Sequence, residues 1–347
     1  MRTLHVRRLG LVEYTDGLDA QQRLVAARAQ ELVPDTLLLL QHPRVVTLGR
    51  GANQDNVLWT REQLAQRGFE IFETNRGGDV TYHGPGQVVG YPILDLKPDR
   101  KDVRKYVASL EELMIRVAAD FGVKGGRVAG RIGAWTPEGK LGAIGVHISR
   151  WITSHGFAFN VRTDLRDFAP IVACGISDAG VTSLEALLGR APEMEAVEER
   201  FAARAAEVWE SEVSEVPPEL STISVAVTRD DGSVLLLKRS APRGGFWQIV
   251  TGRIEPGESP LGAAAREVLE ETGFSPRLDQ LRDLHYEHSF MLDSIFARET
   301  AFAYRAGAEP KLSDEHVEYR WCTAREAAAL LPYAGLRRAV LLALADG

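Results

Sequence analysis

Three glutamates in the C-terminal part of the chain have the spacing and the chemistry of a divalent-cation site. Glu267, Glu270 and Glu271 stand at positions i, i+3 and i+4, which a helix brings onto one face. Carboxylates crowded in this way repel one another unless a cation neutralises them, and their hard oxygens suit Mg²⁺ or Mn²⁺. A solvated acidic helix face is the simpler interpretation, so the neighbouring positions must decide between the two.

A second stretch that could support chemistry is Arg76–Tyr91, which holds five glycines, an arginine and a histidine. Gly77 and Gly78 allow a tight turn or a close approach to a ligand. His83 is directly followed by the Gly-Pro-Gly segment 84–86, which interrupts regular secondary structure and places the imidazole at a rigid loop. The apolar run after this segment predicts a buried strand. The same pattern is compatible with a structural turn that carries a solvated histidine.

Composition narrows the class of protein. The chain has 347 residues, 45% of them hydrophobic and 26% charged, with a net charge of −7. These values are ordinary for a globular protein with two domains. The absence of a dense Lys/Arg block argues against a nucleic-acid partner, and no apolar run is long enough for a membrane span. With only two cysteines, Cys174 and Cys322, and no signal-peptide pattern, we expect a cytoplasmic protein.

Periodicity predicts the elements that carry these residues. A helix over 195–213 precedes a proline-containing spacer, 214–220, which we interpret as the linker between domains 1–213 and 221–347. Beyond the spacer, an Asp-Asp-Gly turn joins two β-rich runs as a hairpin. The other predicted elements are helices over 19–33 and 102–120, strands over 36–41 and 45–48, and a helix that begins at Ser259-Pro260 and ends at Gly273.

The N-terminal motifs resemble a known family. The pattern Arg-Gly-Gly-x-x-Thr-Tyr-His-x-x-Gly-Gln-x-x-x-Tyr over 76–91 is similar to the signature of octanoyl-[acyl carrier protein]:protein N-octanoyltransferases, which begin protein lipoylation. Further similar segments are His42-Pro43, 47–50, 140–145, 154–160 and Cys174-Gly175. The resemblance implies a biotin/lipoate-protein-ligase-like α/β domain that needs no cofactor. It also implies octanoyl-acyl carrier protein as donor, and as acceptors the lipoyl domains of 2-oxoacid dehydrogenases and the glycine cleavage H protein.

The same resemblance assigns the reacting residues. By itself, Cys174 is more typical of a small buried side chain, and Lys140 of a solvated turn. In the family, the matching cysteine is the nucleophile and the matching lysine its acid/base partner. A thiolate can take an acyl chain and pass it on, and a nearby ammonium favours that thiolate. Ala173 stands where the family usually has proline.

The resemblance also implies a substrate pocket. Its expected members are Arg76, Gly77, Gly78, Asp79, Val80, Thr81, Tyr82, His83, Ala143, Ile144, Gly145, Gly156, Phe157 and Ala158. His83 is expected either to position groups or to shuttle a proton. Related lipoate and biotin ligases have a similar architecture but activate their acid with ATP and use no catalytic cysteine. An ATP-dependent ligase-like domain, with the C-terminal domain as a nucleotide sensor, is therefore the alternative.

The glutamate segment, 252–274, resembles the Nudix box at all its fixed positions, which favours a metal site over a solvated face. The resemblance implies an α/β/α sandwich and a Mg²⁺- or Mn²⁺-dependent hydrolase of small-molecule diphosphates. It also implies Glu267 and Glu271 as principal ligands, with Glu270 and Glu258 in support, and Arg266 as the residue that orients a glutamate.

The flanking sequence is similar to the dihydroneopterin triphosphate pyrophosphatase branch. In that branch, Arg239 and Thr251 would touch the substrate, and Glu315 would add a metal ligand. Trp247 either stacks on a base or pterin ring or is a core aromatic. The identity of the triphosphate stays open.

Overall fold

The computed structural model describes residues 2–172 and 180–345. The chain divides into two compact units, Met1–Pro217 (unit 1) and Pro218–Gly347 (unit 2). Both are α/β, with mixed sheets and packed helices. No helix in the described residues is long and apolar enough to span a bilayer.

Unit 1 contains five helices and eleven strands among its described residues. In chain order they are β1 (Arg2–Leu11), α1 (Tyr14–Ala29), β2 (Asp35–Gln41), β3 (Val45–Leu48), α2 (Arg61–Gln66), β4 (Glu70–Glu73), β5 (Val80–His83), β6 (Gln87–Ile93), α3 (Val103–Asp120), β7 (Gly126–Val128), β8 (Arg131–Thr136), β9 (Gly139–Ser149), β10 (Ile152–Asn160), α4 (Leu184–Leu188), α5 (Met194–Val208) and β11 (Ser211–Glu215).

The main sheet of unit 1 has the strand order β11-β1-β2-β6-β10-β9-β8-β7, and a smaller sheet has the order β4-β3-β5. Helices α3 and α5 pack on each other and, with the main sheet, enclose a core that includes Leu110, Met114 and Phe201. The small sheet has its own core around Val46 and Tyr82. Both sheets contribute strands to the site described below.

The predicted strands over 36–41 and 45–48 and the helix over 102–120 are confirmed by β2, β3 and α3. The helix predicted over 19–33 was wrong at both ends, since α1 spans Tyr14–Ala29. Its start was missed because Gly17 interrupts the helical pattern. The missing side chain of Gly17 leaves room for the ring of His42, whose Cε1 would lie 3.0 Å from a Cβ there.

The helix predicted over 195–213 was wrong at its C-terminal end. Helix α5 stops at Val208, and Glu210 has a φ of +49°, which the helix cannot continue through. Residues 211–215 form β11, which pairs parallel with β1. Ser214 and Glu215, assigned to the linker from the sequence, therefore belong to the main sheet.

Unit 2 contains a seven-stranded sheet and three helices in its described part. They are β12 (Leu220–Thr228), β13 (Val234–Arg239), β14 (Trp247–Gln248), β15 (Val250–Arg253), α6 (Pro260–Thr272), β16 (Leu281–Leu292), β17 (Ile295–Arg305), β18 (His316–Cys322), α7 (Ala324–Leu330) and α8 (Ala334–Ala345). Strand β12 is central: it runs parallel to β17 and antiparallel to β13 and β15.

The predicted hairpin is confirmed by the antiparallel β12–β13 pair. The predicted limits of the glutamate-bearing helix are confirmed as well. The hydroxyl of Ser259 accepts from the Gly262 amide at 3.1 Å, and Gly273 ends α6 with a φ of +73°. Helix α6 packs on β12 and β15, and α8 on β12, β16 and β17. These contacts place Glu267 of α6 against Gly252 of β15.

Candidate active sites

Unit 1 holds an open cavity of about 390 Å³. Strands β5, β9 and β10 and the glycine-rich loop before β5 form most of its wall. Lys140, the predicted acid/base residue, lies there. Most of the residues expected in the pocket lie there as well: Arg76, Gly77, Gly78, Asp79, Thr81, His83, Ala143, Ile144, Gly145, Gly156, Phe157 and Ala158. The wall combines apolar side chains with backbone, as an acyl chain requires.

Val80 and Tyr82 were also expected in the pocket, but they do not line the cavity. Side chains alternate along β5, so Thr81 and His83 face the cavity, whereas Val80 and Tyr82 pack in the core of the small sheet. The Tyr82 hydroxyl donates to Asp167 at 2.8 Å on that side. The motif therefore contains residues of the cavity wall and residues of the core, because the two faces of β5 contact one each.

Close backbone packing holds the loop that begins at Arg76. The buried Arg76 guanidinium donates to the Thr47 carbonyl at 2.6 Å and to the Gly77 carbonyl at 3.1 Å. A Cβ at Gly49 would collide with the Gly78 carbonyl, and one at Gly145 would lie 2.9 Å from Arg76 Cδ. These glycines are therefore required by close approach.

Lys140 lies on β9 at the cavity wall and is only 7% exposed. Its Nζ lies 5.3 Å from the centre of the Trp135 ring, a cation–π distance. A side chain at Gly133 would lie 2.9 Å from Lys140 Cε, so that glycine makes room for the lysine. A buried lysine held against an aromatic face is not the solvated turn residue that its sequence neighbours alone suggest.

The backbone of Lys140 is hydrogen-bonded to the segment that follows residues 173–179. Its amide donates to the Gly180 carbonyl at 2.9 Å, and its carbonyl accepts from the Thr182 amide at 3.0 Å. On the other flank, the Val172 amide donates to the Asn56 carbonyl at 2.8 Å. Cys174, the predicted nucleophile, lies between these flanks and outside the described residues.

His83 is buried and fixed by side-chain hydrogen bonds. Its Nδ1 lies 2.8 Å from Gln87 Oε1, and Gln87 Nε2 donates to Asn160 Oδ1 at 2.9 Å. The pKa of His83 is lowered to about 3, first by burial and then by the neighbouring His42. At neutral pH the imidazole is therefore uncharged.

Around His83 lies a cluster of buried aromatic and imidazole rings that the predicted site did not include. Tyr14, Tyr91 and His155 line the cavity, and His42 bridges the Val12 carbonyl and the Tyr91 hydroxyl at 2.7 Å each. Burial lowers the pKa of His42 and of His155 to about 4. His42 and His155 stand in two of the similar segments, so the motifs held a usable signal; Tyr14 gave none.

In unit 2, Arg266 forms ion pairs with three of the predicted metal ligands. The Arg266 guanidinium lies 2.9 Å from Glu258, 2.7 Å from Glu267 and 3.2 Å from Glu270. A Cβ at Gly252 would collide with the Glu267 carboxylate, so the first glycine of the box is required by that contact. Arg266 therefore orients several of these glutamates at once.

Glu271 differs from the other glutamates of α6 because it is buried. Its Oε2 has no hydrogen-bond partner among the described residues, and its Oε1 lies 4.0 Å from His316 Nε2. Burial first, and then the charge of Glu267, raise the pKa of Glu271 well above its usual value. A buried carboxylate oxygen without a partner fits a divalent cation, which would supply the missing charge.

Glu315, expected as a further ligand, is held by two arginines at 3.7 Å (Arg239) and 2.8 Å (Arg243). Its charge nevertheless contributes to the raised pKa values of Glu267 and Glu271, so it lies near both. In the described part of the chain, no group of three or more His, Cys, Asp or Glu side chains is already arranged as a metal site. Arginine side chains hold these carboxylates instead.

The expected substrate contacts lie at the same end of the sheet. Thr251 is on β15, and its backbone amide faces Glu271 and opposes the rise in that carboxyl's pKa. Arg239 ends β13 beside Glu315. Trp247 is half-buried, with Lys238 Nζ 5.7 Å and Arg320 Cζ 5.2 Å from its ring, so part of its surface stays accessible.

Comparison with known proteins agrees with the division of the chain into two units. Residues 13–206 match the lipoyl protein ligase A/B catalytic domain, and residues 218–344 match the NUDIX domain. An octanoyltransferase of Myxococcus xanthus is 47% identical over 99% of this chain and 100% of its own length. The crystal structure of a lipoate-protein ligase A bound with ATP has a TM-score of 0.52 at 15% identity, covering 61% of this chain and 89% of that one, which shows a shared fold.

A further similar structure is the E. coli dihydroneopterin triphosphate pyrophosphohydrolase, at 29% identity over 38% of this chain and 98% of that chain, with a TM-score of 0.34. The two domain matches and the full-length relative settle the family. The chain belongs to the lipoyl protein ligase A/B catalytic family, among the octanoyltransferases, and is an enzyme that carries a C-terminal Nudix domain.

Proposed function

We propose that unit 1 transfers an octanoyl group from octanoyl-acyl carrier protein to a lysine amine of a lipoyl domain, through a thioester on Cys174. The acceptors would be the lipoyl domains of 2-oxoacid dehydrogenases and the glycine cleavage H protein. Family membership and the cavity beside Lys140 support this proposal. An amide is more stable than a thioester, so the transfer needs no ATP.

One observation carries the proposed mechanism. The segment that follows Cys174 by six residues is bonded to both backbone groups of Lys140 through Gly180 and Thr182. These bonds tie the chain that follows Cys174 in sequence to the strand that carries Lys140. The ammonium would stabilise the thiolate, whose attack on the donor carbonyl expels the carrier thiolate, and Lys140 would protonate that leaving group.

The second half of the reaction reverses these roles. The acceptor amine attacks the Cys174 thioester, loses a proton to the now neutral Lys140, and expels the Cys174 thiolate as the amide forms. Ile144, Phe157 and Ala158 supply apolar surface to the cavity in which the acyl chain would lie. Thus the enzyme returns to its starting charge state.

Intact-protein mass after mixing with octanoyl-acyl carrier protein tests this mechanism. We expect a hydroxylamine-sensitive octanoyl adduct on the wild type and none on Cys174→Ser. The matched control is Cys322→Ser, because Cys322 is buried in β18 of unit 2 and should not affect the adduct. Transfer that appears only when ATP is supplied would instead place unit 1 with the ATP-dependent ligases.

We also propose that unit 2 hydrolyses a diphosphate bond in a nucleoside- or pterin-triphosphate substrate, with Mg²⁺ or Mn²⁺ as cofactor. Glu267 and Glu271 would hold the cation, supported by Glu258, Glu270 and Glu315. The cation would polarise the phosphate and lower the pKa of a bound water. The buried Oε2 of Glu271, which lacks a partner among the described residues, is the observation that supports this use of the box.

Arginine side chains would complete this second site. Arg239 lies beside the carboxylates and would contact the phosphates. Turnover of a panel of nucleoside and pterin triphosphates, with and without chelator, tests the proposal, and Glu267→Gln should abolish the metal-dependent rate. Tight nucleotide binding without turnover would favour a sensor in place of a hydrolase.

A further inference from the structure

A chain of side-chain amides connects His83 to the segment that contacts Lys140. Asn160 Nδ2 donates to the Thr182 carbonyl at 2.9 Å, and Gln87 Nε2 donates to Asn160 Oδ1, also at 2.9 Å. Gln87 Oε1 then meets His83 Nδ1 at 2.8 Å. Gln87, Asn160 and Lys140 border the same small recess of the cavity wall.

The Thr182 carbonyl at one end of this series of amides fixes the direction of every hydrogen bond in the series. A backbone carbonyl can only accept, so the Asn160 atom that faces Thr182 must be the nitrogen, and its oxygen faces Gln87. Gln87 must therefore present its nitrogen to Asn160. The Tyr82 carbonyl, 3.3 Å from the same nitrogen, fixes the same orientation. The oxygen of Gln87 remains for His83.

An amide oxygen accepts, so His83 must carry its proton on Nδ1. The neutral ring then has its lone pair on Nε2, which has no hydrogen-bond partner among the described residues, while the ring borders the cavity. Arg76, His42 and His155 each oppose an imidazolium at His83. The Tyr14 ring also stacks on His83 at 6.3 Å, and because burial raises the pKa of Tyr14 to about 12, its hydroxyl stays neutral. Nε2 of the neutral ring is therefore a hydrogen-bond acceptor, while Nδ1–H donates to Gln87.

We propose that His83 Nε2 accepts a hydrogen bond from the acceptor-lysine amine as it attacks the acyl thioester, and that Gln87 and Asn160 are positioning residues that fix the required tautomer. This inference rests on the proposed octanoyl transfer. In the proposed mechanism the nucleophile is a thiolate without a proton to offer, and no described residue donates to His83 Nε2, which leaves the incoming amine as its N–H donor. One amine N–H stays bonded to His83, and the proton that is lost goes to Lys140.

Long-range ¹H–¹⁵N spectra of the histidine rings test the tautomer without any turnover. We expect a protonated Nδ1 and an unprotonated Nε2 at His83 in the wild type, and loss of this pattern in Gln87→Leu. Gln41→Leu is the matched control, because Gln41 Oε1 accepts from the Gly86 amide in the same loop but does not touch His83. A wild-type ring protonated on Nε2 overturns the inference even if octanoyl transfer is established.

The two half-reactions test the role of Nε2. In His83→Leu, transfer from preformed octanoyl-enzyme to the lipoyl domain should slow by about tenfold or more, the effect of one hydrogen bond to the reacting group. Formation of the octanoyl-enzyme should change by less than about threefold, because the acceptor amine and its hydrogen bond take no part in that step. Equal slowing of both steps would contradict the proposal. Absence of any octanoyl-enzyme in the wild type would contradict the proposed function instead.

A conservative variant separates positioning from folding. Gln87→Glu keeps an acceptor for Nδ1–H, but its charge favours the imidazolium and raises the pKa of His83. Protonated Nε2 cannot accept, so the transfer step of Gln87→Glu should fail on acidification at a higher pH than in the wild type. Identical pH profiles for the two proteins would show that Gln87 does not act through His83.

Discussion

The two candidate sites bury polar groups in opposite ways. In the cavity of unit 1, a neutral amide chain fixes His83, and burial lowers the pKa values of the surrounding imidazoles. At the carboxylate site of unit 2, full charges are paired, and Arg266 contacts several glutamates. The neutral hydrogen bonds around His83 need no counter-ion, whereas the second site contains excess negative charge that a cation can neutralise.

The largest effect should come from removing the buried amine of Lys140 from the cavity of unit 1. We expect Lys140→Met to lower octanoyl transfer by about 10²–10⁴-fold, the range for loss of a general acid or base. Diphosphate hydrolysis by the same protein should not change. Lys124→Met is the control, because Lys124 is exposed. Parallel loss of both activities would show that the two sites are not independent.

The matching change at the charged site is Glu271→Gln. Hydrolysis should fall by at least about 100-fold, since loss of even an outer-shell partner costs a metal site 10–100-fold. The metal-free unit should meanwhile become more stable by about 1 kcal/mol, because a neutral amide avoids the cost of a buried carboxylate. Thermal melting with and without Mg²⁺ checks this, with exposed Glu255→Gln as control. A loss of stability without metal would contradict the excess-charge interpretation.

Acidification should lower the free energy of unfolding of unit 1, because its buried imidazoles are neutral in the folded state. His42, His83 and His155 have pKa values of about 4, 3 and 4 when folded, below the ordinary 6.5. The unfolded chain therefore binds more protons between about pH 6.5 and 4, so stability is full above this window and is lost as the pH falls through it. At pH 5, each ring should cost about 2 kcal/mol.

Denaturant melts of unit 1 as a function of pH measure this slope. His42→Gln should reduce this slope, because the His42 ring contributes in the same direction as the other rings whose pKa burial lowers. Replacing the exposed His285 of unit 2 gives the control, which should keep the wild-type slope. A slope that His42→Gln leaves unchanged would show that these rings are protonated in the folded state.

A methyl group should suffice to disturb the charged site. Gly252→Ala would force the Glu267 carboxylate away from its place, and we expect hydrolysis to fall by about tenfold, as for displaced metal-site partners. Gly307→Ala is a matched control in the same unit, because a Cβ there meets nothing within 4 Å. Equal activities of the two variants would mean that Glu267 moves freely without cost.

Local pattern was enough to predict that the glutamates of α6 share one face, but not which residues meet around His83. The glutamates of α6 are neighbours in sequence, so helical spacing alone brought them to one face, and Ser259 and Gly273 marked the helix ends. The cavity instead depends on pairs far apart in the chain, such as Gln87 and Asn160, which meet only because β6 pairs with β10. No local rule predicts such a register.

Helix and strand boundaries failed where tertiary contacts overrode local pattern. The closing helix looked longer than it is, because residues 211–215 gain more from pairing with β1 than from another helical turn. Glycines were predicted to permit turns or a close approach to a ligand; the structure shows several, such as Gly49 and Gly145, that permit close approach of other protein atoms. The sequence indicated which glycines are structurally required, but not which protein atoms approach them.

The smallest expected effect comes from comparing substitutions on the two faces of β5. Tyr82→Phe removes the hydrogen bond to Asp167, which should lower the stability of unit 1 by about 1 kcal/mol. Because Tyr82 faces the small core, kcat/KM for octanoyl transfer should stay within about twofold, as expected for a change that leaves transition-state contacts intact. Thr81→Val, one residue away on the cavity face, should do the reverse and change kcat/KM more than stability. If Tyr82→Phe impaired transfer as strongly as Thr81→Val, alternation along β5 would not divide site from core, and the motif would act as a single unit.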